Sequence, residues 1–164
     1  VMTSKTLSYN TKLKVYTTMI IPVLLYGTET LSVTKKDQEK LMAFERKMLR
    51  KIYGPVLDVN GWRRRKNKEL YDLLNQPNVC QLLCSKRLRW AGHVARMDDQ
   101  PRVKAVTRGI AEGRRPLGRP RTRWQDQVSK DLTQLGVQDD WWQVAQDRVE
   151  WRRIVRSAYD LDGL

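Results

Sequence analysis

Apolar residues recur at every third or fourth position along most of this 164-residue chain, the spacing that is typical of amphipathic helices. The first such segment, residues 7–25, predicts a helix with a kink or break before Pro22. The second, residues 34–53, begins after Thr34 as a candidate cap and is stopped by Gly54. One stripe of this second helix carries its apolar side chains: Leu41, Phe44, Met48, Leu49 and Ile52.

Four further helices follow from the same pattern, joined to the first two by a predicted loop at residues 55–66. Polar residues precede each of them as candidate N-caps: Asn67, Asn78, Thr122, and Asp139 or Asp140. Gly92 interrupts the helix that follows Asn78, which indicates a bend or a close approach there. No run of alternating apolar and polar residues is long enough to predict a strand. The pattern therefore predicts an all-α fold, an irregular bundle of about six helices with a basic Arg/Gly/Pro-rich loop.

The formal net charge of +14 is concentrated in one part of the chain. Residues 86–124 contain twelve Lys and Arg against three acids, whereas the two helices after residue 125 have more acids than bases and are predicted to form a cap behind the basic surface. Residues 113–120 combine Gly, Pro and Arg too densely for a helix or a strand. Such a loop suits contact with an anionic polymer, and a polyphosphate backbone is the leading candidate. The basic stretches of the chain are predicted loops and helix ends, not one long amphipathic helix, so no membrane partner is predicted.

Candidate chemistry is sparse. Cys80, Cys84 and His93 could share a helical face, but a structural zinc site needs four ligands and the chain has no further Cys or His. We therefore predict a core thiol pair beside a hydrogen-bonded His93, with no metal and no cofactor. The adjacent Asp98 and Asp99 lack the hairpin that would aim both at one metal ion. Five of the six tryptophans are assigned chiefly to the core; the sixth, in the 55–66 loop, is the one most readily exposed.

Five segments in fixed order carry a family resemblance: YNTKLKVYTTMIIPVLLYGTETL, KLMAFERKMLRKIYG, RLRWAGHVARM, GRRPLGRPRTRWQDQV and DRVEWRRIV. Together they resemble the part of the polyprotein of non-LTR (LINE-type) retrotransposons that follows the reverse transcriptase palm. The resemblance implies a thumb-like helical segment at residues 1–76 and a basic post-thumb segment at residues 77–164. The catalytic Phe/Tyr-x-Asp-Asp motif of reverse transcriptases is absent from the sequence. We therefore expect a non-catalytic part of an RNA-directed DNA polymerase, not an enzyme by itself.

That expectation, with the placement of charge, predicts phosphate contacts that hold an RNA template and a DNA primer. A-form duplexes are recognised through shape and backbone, which suits arginines that lack base-reading partners. The candidate nucleic-acid-binding residues are Arg63, Arg64, Arg65, Lys66, Lys86, Arg87, Arg89, Arg96, Arg114, Arg115, Arg119, Arg121 and Arg123. The expected partners are an RNA template, an RNA/DNA hybrid or target DNA, and the rest of the polyprotein. The expected location is intracellular, in nucleus and cytoplasm, within a ribonucleoprotein.

Two alternatives remain open at this stage. The same basic face could dock an acidic protein, with exposed tryptophan as an anchor. The chain could also be a decayed or host-retained retrotransposon remnant. Binding to one protein with weak affinity for nucleic acid would favour the first alternative, and binding that ignores which basic cluster is removed would favour the second.

Overall fold

A computed structural model describes residues 1–4, 6–97, 122–138 and 140–160, and this part of the chain is mostly helical. The all-α prediction is confirmed. The first helical segment runs from α1 (Tyr9–Val15) through a π-helical turn (Tyr16–Ile20) into α2 (Ile21–Leu24). The wide turn ends two residues before Pro22, which has no N–H to donate. The predicted kink or break therefore takes the form of a widened helical turn.

Helix α3 (Lys35–Tyr53) ends where it was predicted to end, at Gly54 with φ of +69°. The predicted loop that follows is instead an antiparallel hairpin of β1 (Val56–Asp58) and β2 (Gly61–Arg63). Helix α4 (Asn67–Leu74) begins one residue earlier than predicted from its cap. Its N-cap is Lys66, whose N–H donates to the Glu69 carboxylate at 2.8 Å, so Asn67 is already the first helical residue.

Helix α5 (Val79–Ala95) is capped as predicted, because the Asn78 side chain accepts the Cys80 N–H at 2.9 Å. Helix α6 (Trp124–Gln134) has Arg123 as its N-cap, not Thr122, since Asp126 accepts the Arg123 N–H. The last predicted helix is in fact two: α7 (Trp141–Val144), capped by Asp140, and α8 (Arg148–Ser157), capped by Asp147. No helix in the described residues is long and apolar enough to cross a membrane.

The chain divides into two compact units, the first comprising Val1–Tyr26 and Lys35–Cys80. A buried carboxylate organises this unit. Glu45 on α3 is 1% exposed, accepts the Tyr16 hydroxyl at 3.0 Å, and accepts the Val79 N–H at 3.2 Å to each of its oxygens. A carboxylate at the start of α5 satisfies an N–H that the helix leaves unpaired and interacts favourably with the helix dipole.

The second unit contains Gly27–Thr34 and the described residues from Gln81 onward. Its core includes three buried tryptophans: Trp141, Trp142 and Trp151. The Trp151 indole N–H donates to the Leu88 carbonyl at 2.9 Å, and its ring lies directly over Gly92. This arrangement explains the glycine inside α5, because a Cβ there would overlap with the indole. The assignment of these tryptophans to the core is confirmed.

Candidate functional site

Helix α8 carries three exposed arginines on one face. Arg148, Arg152 and Arg156 are four residues apart, so each lies one helical turn above the previous one. The adjacent face of the helix buries Trp151, Ile154 and Val155 in the core. Packing of the apolar side therefore fixes where the three guanidinium groups emerge.

Arg89 on α5 and Arg96 just after it lie on the other side of a cleft of about 360 Å³, which we call the five-arginine cleft. Its lining residues are Arg89, Arg96, Arg148, Trp151, Arg152, Val155, Arg156 and Tyr159. Trp151 and Val155 are buried and form an apolar wall, and the charged groups lie around it. The cleft thus combines a fixed apolar base with five cations.

Five like charges converge in this cleft. Within the described part of the chain, no carboxylate lies within 4.0 Å of any of the five guanidinium groups. Burial lowers the pKa of Arg96 from its ordinary value, and the nearby charges of Arg148 and Arg152 lower it further. Arg96 is held by a hydrogen bond to the Ala145 carbonyl. An anion bound here would relieve a repulsion that the fold maintains.

The next helical position shows the contrast. Arg153 lies beside the three cleft arginines in sequence but faces away from them, and its guanidinium pairs with Glu150 at 3.2 Å. Its side chain is 81% exposed. An exposed pair of this kind contributes little to stability, but it provides a matched control for the cleft.

The predicted cluster at residues 63–66 is partly engaged in the fold. Arg63 pairs with Asp58 at 2.9 Å and with both oxygens of Glu69 at 2.7 and 3.1 Å. Hydrogen bonds from Arg63 lower the pKa of Glu69 to about 2. Arg65 donates to the Gly54 carbonyl at 3.1 Å, whereas Arg64 and Lys66 are exposed. This cluster therefore presents two cations to solvent, not four.

One predicted contact residue is buried. Arg87 is 1% exposed, and its Nε lies 3.1 Å from the Asp131 carboxylate, although the geometry is that of an ion pair and not of a hydrogen bond. A second nitrogen donates to Gln127 at 3.1 Å. A guanidinium in this position cannot reach a phosphate, so Arg87 is removed from the set of candidate contacts.

The other predicted residues differ in exposure. Arg89 and Arg123 are exposed, Lys86 and Arg96 are half-buried, and Arg89 and Arg96 line the five-arginine cleft. Four candidates lie outside the described residues: Arg114, Arg115, Arg119 and Arg121.

The expected thiol and histidine cluster is corrected in part. Cys80 and Cys84 are buried thiols, as predicted, but His93 is exposed and lies against Trp90 with ring centroids 5.2 Å apart. Helix α5 turns His93 toward solvent because the buried face is occupied by Ala91, Val94 and Ala95. No group of three His, Cys, Asp or Glu side chains in the described ranges is arranged to hold a metal ion.

The chain is similar to a transposon-derived protein. That relative, an uncharacterized transposon-derived protein of Caenorhabditis elegans, is 24% identical over 150 residues, which cover 88% of this chain and 54% of the relative. The chain therefore spans about half the length of the relative it matches. No protein-family model matches the chain, and no solved structure matches it.

Reasoning from sequence missed Arg148, Arg152 and Arg156. The excess of acids after residue 125 led to the prediction of a neutral cap behind the basic surface. Asp147 caps α8 and Asp131 pairs internally with Arg87, so these acids do not neutralise the cleft. The signal was the spacing of four between successive arginines, which places them on one helical face.

Proposed function

We propose that this chain is the non-catalytic, nucleic-acid-binding part of a non-LTR retrotransposon reverse transcriptase. In this proposal it holds template RNA and DNA primer through phosphate contacts. The observation that carries the proposal is the five-arginine cleft. Five cations converge there, and none of them pairs with a carboxylate of the described residues. The similarity to a transposon-derived protein supports the transposon origin that the proposal requires.

The dimensions of the cleft favour a polymer over a single small anion. From Arg148 to Arg156 the helix advances eight residues, about 12 Å at 1.5 Å per residue. One strand of a nucleic acid carries a charge about every 3.4 Å along its axis, so the row of arginines matches several consecutive phosphates. Arginine is suited to this task because its planar fork binds phosphate oxygens in pairs.

Contacts of this kind provide affinity without reading sequence. A polymerase that copies a long template needs a grip that is indifferent to sequence, so the chemistry of the cleft suits the proposed role. The loop with Arg114, Arg115, Arg119 and Arg121 would add further phosphate contacts, and this remains a prediction from sequence.

The test is a salt series with two matched double variants. Arg152→Ala/Arg156→Ala removes two charges from the cleft, and Lys130→Ala/Arg153→Ala removes two exposed charges of the same unit outside it. Affinities for an RNA/DNA hybrid, single-stranded RNA and duplex DNA are measured by fluorescence anisotropy. Each lost phosphate contact flattens the slope of log K against log salt by about 0.7 to 0.9. The slope of the cleft variant is therefore expected to be smaller in magnitude than that of the wild type by about 1.5.

The control variant is expected to keep a slope close to that of the wild type. Equal effects of the two variants would show that only net charge matters and would contradict a cleft-specific grip. A shallow wild-type slope on all three nucleic acids, together with saturable binding to an acidic protein, would replace the proposal with the protein-interaction alternative. Circular dichroism of each variant checks that the fold is retained.

A further inference from the structure

The hairpin of residues 56–63 exposes an unusual amount of apolar surface. Leu57 and Trp62 are cross-strand partners, so their side chains lie on the same face of the two strands. Leu57 is 63% exposed, Trp62 72% and Val59, in the turn, 96%. A large aromatic ring that a small protein leaves in water in this way is a candidate contact surface.

The hairpin is held in place from its other face. Arg63 alternates with Trp62 along β2 and ties the hairpin to α4 through its ion pairs with Asp58 and Glu69. At the base of the hairpin, Arg65 donates to the Gly54 carbonyl. An isolated two-stranded hairpin is marginally stable. These bonds therefore fix the orientation in which Trp62 and Leu57 are presented to solvent.

The surroundings of the exposed ring are cationic. Arg64, Lys66 and Lys68 are all exposed, while the neighbouring Asp58 carboxylate is already paired with Arg63. The surface therefore offers a flat aromatic ring next to side chains that bind phosphate. An unpaired nucleotide has the complementary chemistry, since its base has a π-face and its backbone has a negative charge. Paired bases inside a duplex do not expose that face.

We propose that this hairpin binds the unpaired bases of a single strand, with Trp62 stacking on a base and Arg64 and Lys66 contacting the flanking phosphates. The inference rests on the proposed function, because it assumes that the chain holds nucleic acid, and adds a single-strand site in the first unit. Stacking of this kind is indifferent to base identity because every base has a π-face.

The experiment compares a blunt duplex with the same duplex carrying a single-stranded overhang of a few nucleotides. The variants are Trp62→Ala, Trp62→Phe and, as a matched control, Tyr26→Ala. Tyr26 is an aromatic residue of the same unit that is 87% exposed and is followed by Gly27 and Glu29, not by arginines. Affinity is measured by anisotropy, and indole fluorescence quenching by a short oligonucleotide is measured in parallel.

The wild type is expected to bind the overhang substrate more tightly than the blunt duplex. Trp62→Ala should weaken overhang binding about 5-fold or more, which corresponds to the lower end of the free energies for stacking one base. It should leave blunt-duplex binding and the salt slope unchanged. Trp62→Phe, which keeps a ring, should retain most of the affinity, and Tyr26→Ala should match the wild type. Quenching should be largely lost in Trp62→Ala.

Failure of this inference differs from failure of the proposed function. If the cleft variant flattens the salt slope but overhang binding is the same with and without Trp62, the phosphate grip stands and the stacking site is rejected. If Trp62→Ala lowers overhang binding while the cleft variant behaves like its control, the single-strand site stands and the cleft is rejected as the grip. Absence of wild-type binding to every nucleic acid rejects both.

Discussion

Arg87 and Arg152 carry the same charge, yet burial gives them different roles. Arg87 is enclosed with Asp131 and Gln127 inside the second unit, where its charge is matched. Arg152 emerges beside Arg148 and Arg156, where no carboxylate of the described ranges matches it. A buried charge must be paired because desolvation is costly. Arg152 is exposed, so water solvates its charge and the fold does not need a carboxylate to match it.

Glu45 is the residue whose ionisation is most informative for the first unit. Burial raises the pKa of its carboxyl above the ordinary value, and the hydrogen bonds from Val79 and Tyr16 only partly oppose that shift. Because the folded protein holds the Glu45 proton more tightly than the unfolded chain does, raising the pH from about 4.5 through the raised pKa lowers the contribution of Glu45 to the free energy of unfolding.

Glu45→Gln isolates this contribution, because glutamine is close in shape and does not ionise. We expect the free energy of unfolding of the wild type, minus that of the variant, to fall as the pH rises through the window above about 4.5. Urea unfolding at a series of pH values measures the difference. Subtracting the variant cancels other titrating groups, including Asp131, whose pKa burial also raises. A difference that rises with pH over that window would show that Glu45 favours its charged form in the fold.

At the scale of elements, apolar periodicity predicts the helices because each one buries a face of its own. The residues that cap them are harder to predict, since Lys66 and Arg123 owe their positions to carboxylates three residues later, at Glu69 and Asp126. The hairpin carried a signal that went unused: Asn60 followed by Gly61, a common hairpin turn pair. Gly61 has φ of +105° in the structure.

The sequence predicts only part of the candidate site, because folding brings together arginines from distant parts of the chain. Arg89 and Arg96 were selected because they lie in the most basic stretch, but their partners on α8 come from a stretch where acids outnumber bases. Net charge summed along the sequence hides a local charge that tertiary folding assembles. The contact between α5 and α8, through Trp151 and Leu88, helps to bring the five arginines together.

The contact between α5 and α8 depends on Gly92. Replacing this glycine tests how closely the two helices pack. Gly92→Ala adds a Cβ that overlaps with the Trp151 indole. Overpacking of a core costs about 1 to 3 kcal/mol, and the gain in helix propensity offsets at most about 1 kcal/mol. We therefore expect the free energy of unfolding to fall by roughly 1 to 2 kcal/mol, as measured by urea unfolding.

The same substitution in a Trp151→Phe background provides the control. Phenylalanine lacks the indole Nε1, which is the atom nearest to the added Cβ, so Gly92→Ala should cost clearly less there than in the wild type. The difference is the coupling energy between the two positions. Equal costs in both backgrounds would show that the indole does not explain the glycine.

At the scale of the whole molecule, a net charge of +14 has a price in stability, and the cleft should account for part of it. Like charges four residues apart on a helix cost about 0.2 to 0.5 kcal/mol per pair, and Arg152→Ala/Arg156→Ala removes two such pairs. We expect this variant to melt about 1 to 3 °C higher than the wild type at low salt, with the difference shrinking as salt screens the charges.

Lys130→Ala/Arg153→Ala, which breaks the pair with Glu150, should show no such gain. Scanning calorimetry at low and high salt measures both. A cleft variant that melts below the wild type at low salt would mean that these arginines stabilise the fold, and their convergence would then be structural and not a site kept for an anion.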